Sequence, residues 1–194
     1  MTIFLPKQIV PLNPTTESPL LFLAGPIRGG GDWQSVMAEE IFAREPKALI
    51  ACPSRWTKEH RLAEQFDQPF SPAENRQLVW ERHYLKLAGL EPRVPGCVIF
   101  WLGLESVDNP HPGPEPYAMD TRRELGKFTA YAEVVKEFSI IRHRLEARMV
   151  VGGDTRFHGL DVLLFELREA FNQQFPFYGT MGEVAAAALK VARQ

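Results

Sequence analysis

The chain has 194 residues, 45% hydrophobic and 24% charged, with 22 basic side chains against 24 acidic ones. These proportions fit a soluble globular protein of one domain. They exclude a dedicated nucleic-acid binder, which carries a basic excess, and a disordered chain, which is poor in core-forming residues.

From the N-terminus, residues 1–19 read as a proline-containing arm with no clear period. Its apolar stretch is broken by Pro6 and Lys7, which makes a poor secretory signal. Residues 20–24 (LLFLA) form a short apolar run closed by Gly25 and Pro26, the pattern of a buried strand. Three glycines follow, and Asp32 is placed to cap a helix over 33–44. Residues 48–52 (ALIAC) read as a second buried strand. Ser71, Pro72 and Glu74 fit a helix start, with the helix running to about residue 87. Residues 97–102 (CVIFWL) give a third strand, followed by a proline-rich loop over 103–119 of a length that is often functional. A helix is expected over 121–144, a strand over 149–152, and helices over 159–173 and 181–193.

Short apolar strands alternating with amphipathic helices predict an α/β doubly wound domain over 20–194, with a parallel sheet covered on both faces. Ligands of such folds bind beyond the carboxyl ends of the strands. Here those ends are 25–31, 53 onward, 103–119 and 152–159. No apolar run reaches 18 residues, so no membrane span and no membrane partner are expected. Cys52 and Cys97 lie in strand-like runs and read as buried free thiols, which agrees with a cytoplasmic protein.

Several motifs fail. The glycine stretch 25–31 does not continue as a dinucleotide fingerprint, because position 34 is Gln34. No Walker loop, serine-hydrolase or kinase signature is present. The five histidines show no metal-ligand spacing, so neither a metal nor an organic cofactor is implied.

What remains is a constellation in order along the chain. Residues 22–28 read FLAGPIR, followed by Trp33. Trp80-Glu81 with Leu85 comes next, then a strand ending Phe100-Trp101, then Asp120-Thr121-Arg122-Arg123-Glu124-Leu125-Gly126. In these features the sequence resembles the nucleoside 2-deoxyribosyltransferase family, and more closely its divergent deoxyribosyltransferase-like branch. The resemblance covers about residues 20–126. It implies a flavodoxin-like fold with a mainly parallel five-stranded sheet. It also implies cleavage of the N-glycosidic bond of a 2′-deoxynucleoside, with transfer of the sugar to another base or to water. Glu124 matches the family nucleophile and Glu81 the acidic residue of the preceding helix. Gly25, Pro26 and Arg28 match the loop that holds base and sugar. Phe22 stands where better-known members carry a tyrosine that supports the nucleophile. Asp120 lies four residues before Glu124, where those members have an acidic residue six before. The partners implied are a nucleoside or nucleotide and a free nucleobase, with a homo-oligomer that completes the site.

The residue types suit that chemistry. A carboxylate below C1′ stabilises oxocarbenium character and traps it covalently, while a second carboxyl with a raised pKa protonates the departing base. On a shared helix, Asp120 and Glu124 fall on one face at a spacing near that of retaining glycosidases. Trp33 and Trp101 are candidates to stack a base. Arg122 and Arg123 at a helix N-terminus oppose the macrodipole, which points to an anionic partner, a carboxylate or a 5′-phosphate. Other readings stay open. Thr121 and Glu124 also fit a capping box, as do Ser71 with Glu74 and Thr180 with Glu183. A glycohydrolase acting on nucleoside monophosphates or another N-glycoside, and a non-catalytic nucleotide-binding module, are the rival functions.

Overall fold

Strands that are apolar at every position must be covered on both faces, and the chain supplies helices for both. A computed structural model describes residues 2–6, 9, 12, 17–54, 74–142, 147–171 and 174–194. The strands are β1 (Thr2–Phe4), β2 (Leu20–Ala24), β3 (Leu49–Ala51), β4 (Gly96–Leu102), β5 (Met149–Gly153) and β6 (Phe177–Tyr178). They make one six-stranded sheet in the order β1-β3-β2-β4-β5-β6, with every pair parallel. Without β1 this is the 2-1-3-4-5 order of flavodoxin-like folds. The strand order turns back at β2, whose neighbours are β3 on one side and β4 on the other.

Side chains of successive strand residues point to opposite faces, and the core divides accordingly. Leu21, Leu23, Ile99 and Trp101 pack beneath α1 (Trp33–Arg44) and α5 (Met181–Ala192). Leu20, Phe22, Val98 and Phe100 pack beneath α2 (Glu74–Leu90), α3 (Met119–Arg142) and α4 (Leu160–Ala170). Aromatic rings carry much of the second layer. Trp80 lies 4.7 Å from Tyr84 and 6.2 Å from Phe22, and Phe100 lies 6.1 Å from Phe128. Close approach requires glycine at Gly89, where a Cβ would stand 2.5 Å from Phe128. Both cysteines are free and buried; burial pushes the Cys52 thiol up to about 12 and raises Cys97 as well.

Three expectations need correction. The arm over 1–19 is not featureless, because Thr2–Phe4 adds a sixth strand alongside β3, and Cys52 N donates to Phe4 O at 2.9 Å. The expected five-stranded sheet is the remainder, completed by the two-residue β6. Helix α3 begins at Met119 rather than at Thr121. The expected cap at Ser71 and Pro72, the helix end at 144 and the last residues of the helix expected over 159–173 lie outside the described residues. Among the described residues, no helix is long and apolar enough to cross a membrane.

Candidate active site

In a doubly wound sheet the crevice opens where the strand order reverses, here between the exits of β2 and β4. Two loops meet there. In the first, residues 25–32, Gly25 and Pro26 are buried. The Trp33 indole lies over Gly25, whose Cβ would stand 2.5 Å from the ring, and Trp33 Nε1 donates to Pro26 O at 2.7 Å. The second loop, residues 103–118, is bonded to the first: Ser106 N donates to Gly29 O at 2.6 Å. Gly29 has φ of +77°, and a Cβ there would stand 2.8 Å from His111 N, so this crossing admits only glycine.

The proline loop is pinned rather than loose. Tyr117 Oη donates to Gly103 O and Leu104 O, each at 3.0 Å. Burial, with help from Glu105, pushes the Tyr117 phenol up to about 12. His111 N donates to Glu105 Oε1 at 2.6 Å. The loop ends in Ala118, a buried non-glycine residue with φ of 58°. That backbone costs about 1–2 kcal/mol and sits immediately before α3.

The first turns of α3 turn Thr121, Leu125 and Phe128 toward the sheet, all buried. Glu124 lies beside that face and is partly buried. Burial pushes its carboxyl up to about 8, and the charges of Glu81 and then Asp120 add to the effect, while Lys127 opposes it. Glu81, on α2, is buried and accepts from Gln77 Nε2 at 2.7 Å. The arrangement is a pair of carboxyls from two helices, close enough to feel each other's charge at the rim of the crevice. A capping role for Glu124 does not fit. With α3 starting at Met119, Thr121 is already inside the helix, and Arg122 N donates to Ala118 O at 3.1 Å. Where the device does occur, at Thr180, both of its bonds form: Glu183 N donates to Thr180 Oγ1 at 3.2 Å, and Thr180 N to Glu183 Oε2 at 3.1 Å.

Neither a family model nor a curated protein matches the chain.

The remaining candidates separate by environment. Asp120 shares α3 with Glu124, but its side chain is 90% exposed and stands 3.8 Å from Arg123 Nη1. Of the two acidic neighbours of Glu124, the buried one is Glu81. Arg122 lies two residues from Glu124, about 200° around the helix. Its guanidinium stacks over the Phe157 ring at 4.5 Å, and burial lowers its pKa. Arg122 therefore faces the loop before α4, and Glu124 faces α2. Arg123 stands beside Asp120, and Arg122 beside the Phe157 ring. Arg28 is exposed in the first loop. Phe22 is 1% exposed and lies beneath Trp80, in the floor rather than in the crevice. Trp33 and Trp101 are 4% and 9% exposed and serve as walls, with little ring face left to stack a base.

Three features escaped the motif reading. Tyr117 pins the proline loop. Trp80 Nε1 is a buried indole N–H that meets no acceptor among the described residues, next in sequence to Glu81. Gln34 Nε2, at the start of α1, is a second such donor. Tyr117 had a signal, an aromatic residue at the end of a proline-rich loop. Trp80 stands in the Trp80-Glu81 motif, but that its N–H and that of Gln34 lack a partner is recognised only by burial. Among the described residues, no cluster of three or more His, Cys, Asp or Glu side chains is placed to hold a metal.

Proposed function

We propose that the chain cleaves the N-glycosidic bond of a 2′-deoxynucleoside and passes the deoxyribosyl group to another base or to water. The observation that carries this reading is the Glu124–Glu81 pair, with the Glu124 carboxyl pushed up to about 8 at the switch point of the sheet. The resemblance of residues 20–126 to nucleoside deoxyribosyltransferases supports it.

Two carboxyls whose charges disfavour each other hold one proton between them near neutral pH. That is the state the reaction needs. In the reactive arrangement Glu81 carries the proton and Glu124 is the carboxylate. A Glu124 oxygen bonds to C1′ as the C1′–N bond breaks; the bonding pair goes to the base nitrogen, which takes the Glu81 proton. The incoming base or water then attacks C1′, returns a proton to Glu81 and releases Glu124. Two displacements give net retention at C1′.

A second reading draws on the same raised pKa. With its proton on Glu124 rather than Glu81, the pair would suit an N-glycoside hydrolase in which Glu124 is the general acid. The pair loses its last proton at about 8, so kcat/KM falls above that pH in both readings. Transfer to a different free base, which needs the covalent intermediate on Glu124, separates the two.

The deciding experiment incubates the protein with 2′-deoxynucleosides, their 5′-monophosphates and a different free base, followed by chromatography. Exchange of the base, abolished in Glu124→Ala, is the expected result. Free base without exchange establishes hydrolysis. Binding without any product supports a nucleotide-binding module and refutes catalysis.

A further inference from the structure

Helix α2 buries Trp80, Glu81, Tyr84, Leu85 and Ala88 and leaves Leu78 and Val79 exposed. Glu81 is a carboxyl in an otherwise aromatic and aliphatic stripe. A carboxyl in such surroundings needs bonded partners whether or not it carries a proton. Gln77 supplies one. It lies four residues earlier on the same helix, the spacing at which side chains meet. Its Nε2 donates to Glu81 Oε1 at 2.7 Å, and the residue is itself half-buried.

That bond constrains the Glu81 proton in two ways. The oxygen that accepts from an amide is the carbonyl oxygen when the carboxyl is protonated, so the proton rides on the other oxygen, Oε2. An N–H bonded to a carboxyl also favours its charged form, so a protonated Glu81 gives up its proton more readily. A lysine or arginine in place of Gln77 would hold Glu81 as an anion near neutral pH and spoil it as an acid. A methionine would leave the oxygen without this donor. A neutral amide strengthens the acid without disarming it. Glu81 is also the carboxyl whose charge reaches Glu124 on α3, so Gln77 acts on the pair from one helical turn away.

We propose that Gln77 is a positioning residue of this site, its carboxamide assigning the Glu81 proton to Oε2 and readying it for the departing base. The proposal rests on the N-glycoside reading above, in which Glu81 is the acid, and it adds the residue that tunes that acid. As the C1′–N bond breaks, its electron pair stays on the base nitrogen, which takes the Oε2 proton. Glu81 is left as a carboxylate, and its bond from Gln77 becomes charge-assisted. Gln77 itself transfers nothing.

The test varies how much the leaving base needs a proton. Deoxyguanosine is paired with its N7-methylated form, whose base departs neutral without one. Deoxyuridine is paired with 5-fluorodeoxyuridine, whose base departs more easily as an anion. kcat, KM and the thermal midpoint are measured for the parent, Gln77→Met and Glu81→Gln. Gln77→Met should fold with a midpoint within a few degrees of the parent. Its kcat should fall by about tenfold on the demanding member of a pair, with little change in KM, and by about fivefold less on the other. Glu81→Gln should show the same contrast, with a loss of about a hundredfold on the demanding member. Equal losses on both members in Gln77→Met, or no loss on either, overturn the role of Gln77, while the contrast in Glu81→Gln leaves the enzyme reading standing. Equal losses in Glu81→Gln remove Glu81 as the acid and the role of Gln77 with it. A parent chain that converts none of these compounds refutes the N-glycoside reading and the proposal together. If Gln77→Met fails to fold, Gln77→Glu, which keeps the length but removes the donor, takes its place with the same expected contrast.

Discussion

Glu124 links protons to stability. In the unfolded chain its carboxyl titrates near 4.5, and in the fold at about 8. Between those values the folded state holds a proton that the unfolded state has released. Its contribution to stability is therefore lost as pH rises from about 4.5 to about 8, and is level above that. The parent chain should show a falling thermal midpoint over this range. Glu124→Gln, which cannot ionise, should show a flatter profile and a midpoint a few degrees higher at pH 8, on the order of 2–4 °C per kcal/mol. Equal pH slopes for the two proteins would place the titration elsewhere. The same substitution should cost turnover by about a thousandfold or more if Glu124 is the nucleophile. At this scale the sequence was only partly legible. Asp120 has the helical spacing to partner Glu124, and spacing was all the sequence offered. What separates it from Glu81 is exposure: one side chain stands in water beside Arg123, the other is buried on α2. Gln34 was noticed only as the residue that spoils a glycine motif.

At the scale of elements, the starts of α5 and α3 show how capping and strain divide their work. Helix α5 begins with a complete capping box at Thr180. Thr180→Ala should lower stability by about 1 kcal/mol without touching activity, read by chemical denaturation. Helix α3 begins without such a box, after the left-handed Ala118 and a loop held by Tyr117. Tyr117→Phe should remove about 1 kcal/mol and expose the 103–118 loop to limited proteolysis, with a larger effect on kcat/KM than on the thermal midpoint. Unchanged cleavage would mean that the loop is held by the contacts of Ser106 and His111 with Gly29 instead. The sequence placed α3 two residues late because the proline-rich loop reads on to about residue 119. The backbone that actually starts the helix is set by Ala118, whose positive φ no alanine announces. The buried strands were legible for a plain reason: a parallel strand covered on both faces is apolar throughout, as β2 and β4 are. Strands β1 and β6 span three and two residues, too few to carry a period.

Across the whole molecule, the sheet order brings together residues that are far apart in the chain. Strand β2 lies between β3 and β4, so the crevice is assembled from a loop near residue 28 and another near residue 110. Phe22→Ala, in the layer beneath both carboxyl-bearing helices, should cost about 3–5 kcal/mol and reduce activity through loss of folded protein. Activity per folded molecule, from active protein titrated against the folded fraction, should change far less. The alternation of strands and helices made this architecture legible, and the outlying strand β1 is the part that alternation could not show. That strand also has a consequence in time. Residues 2–4 are made before their partner, residues 49–51, which follows some forty-five residues later. Thr2–Phe4 waits for its seat, and β3 already has β2 on its other side. Held by one short ladder at the rim, Thr2–Phe4 should be the last strand to dock and the first to release. Amide exchange should find Cys52 N, which is bonded to Phe4 O, opening well before the amides of β2 and β4.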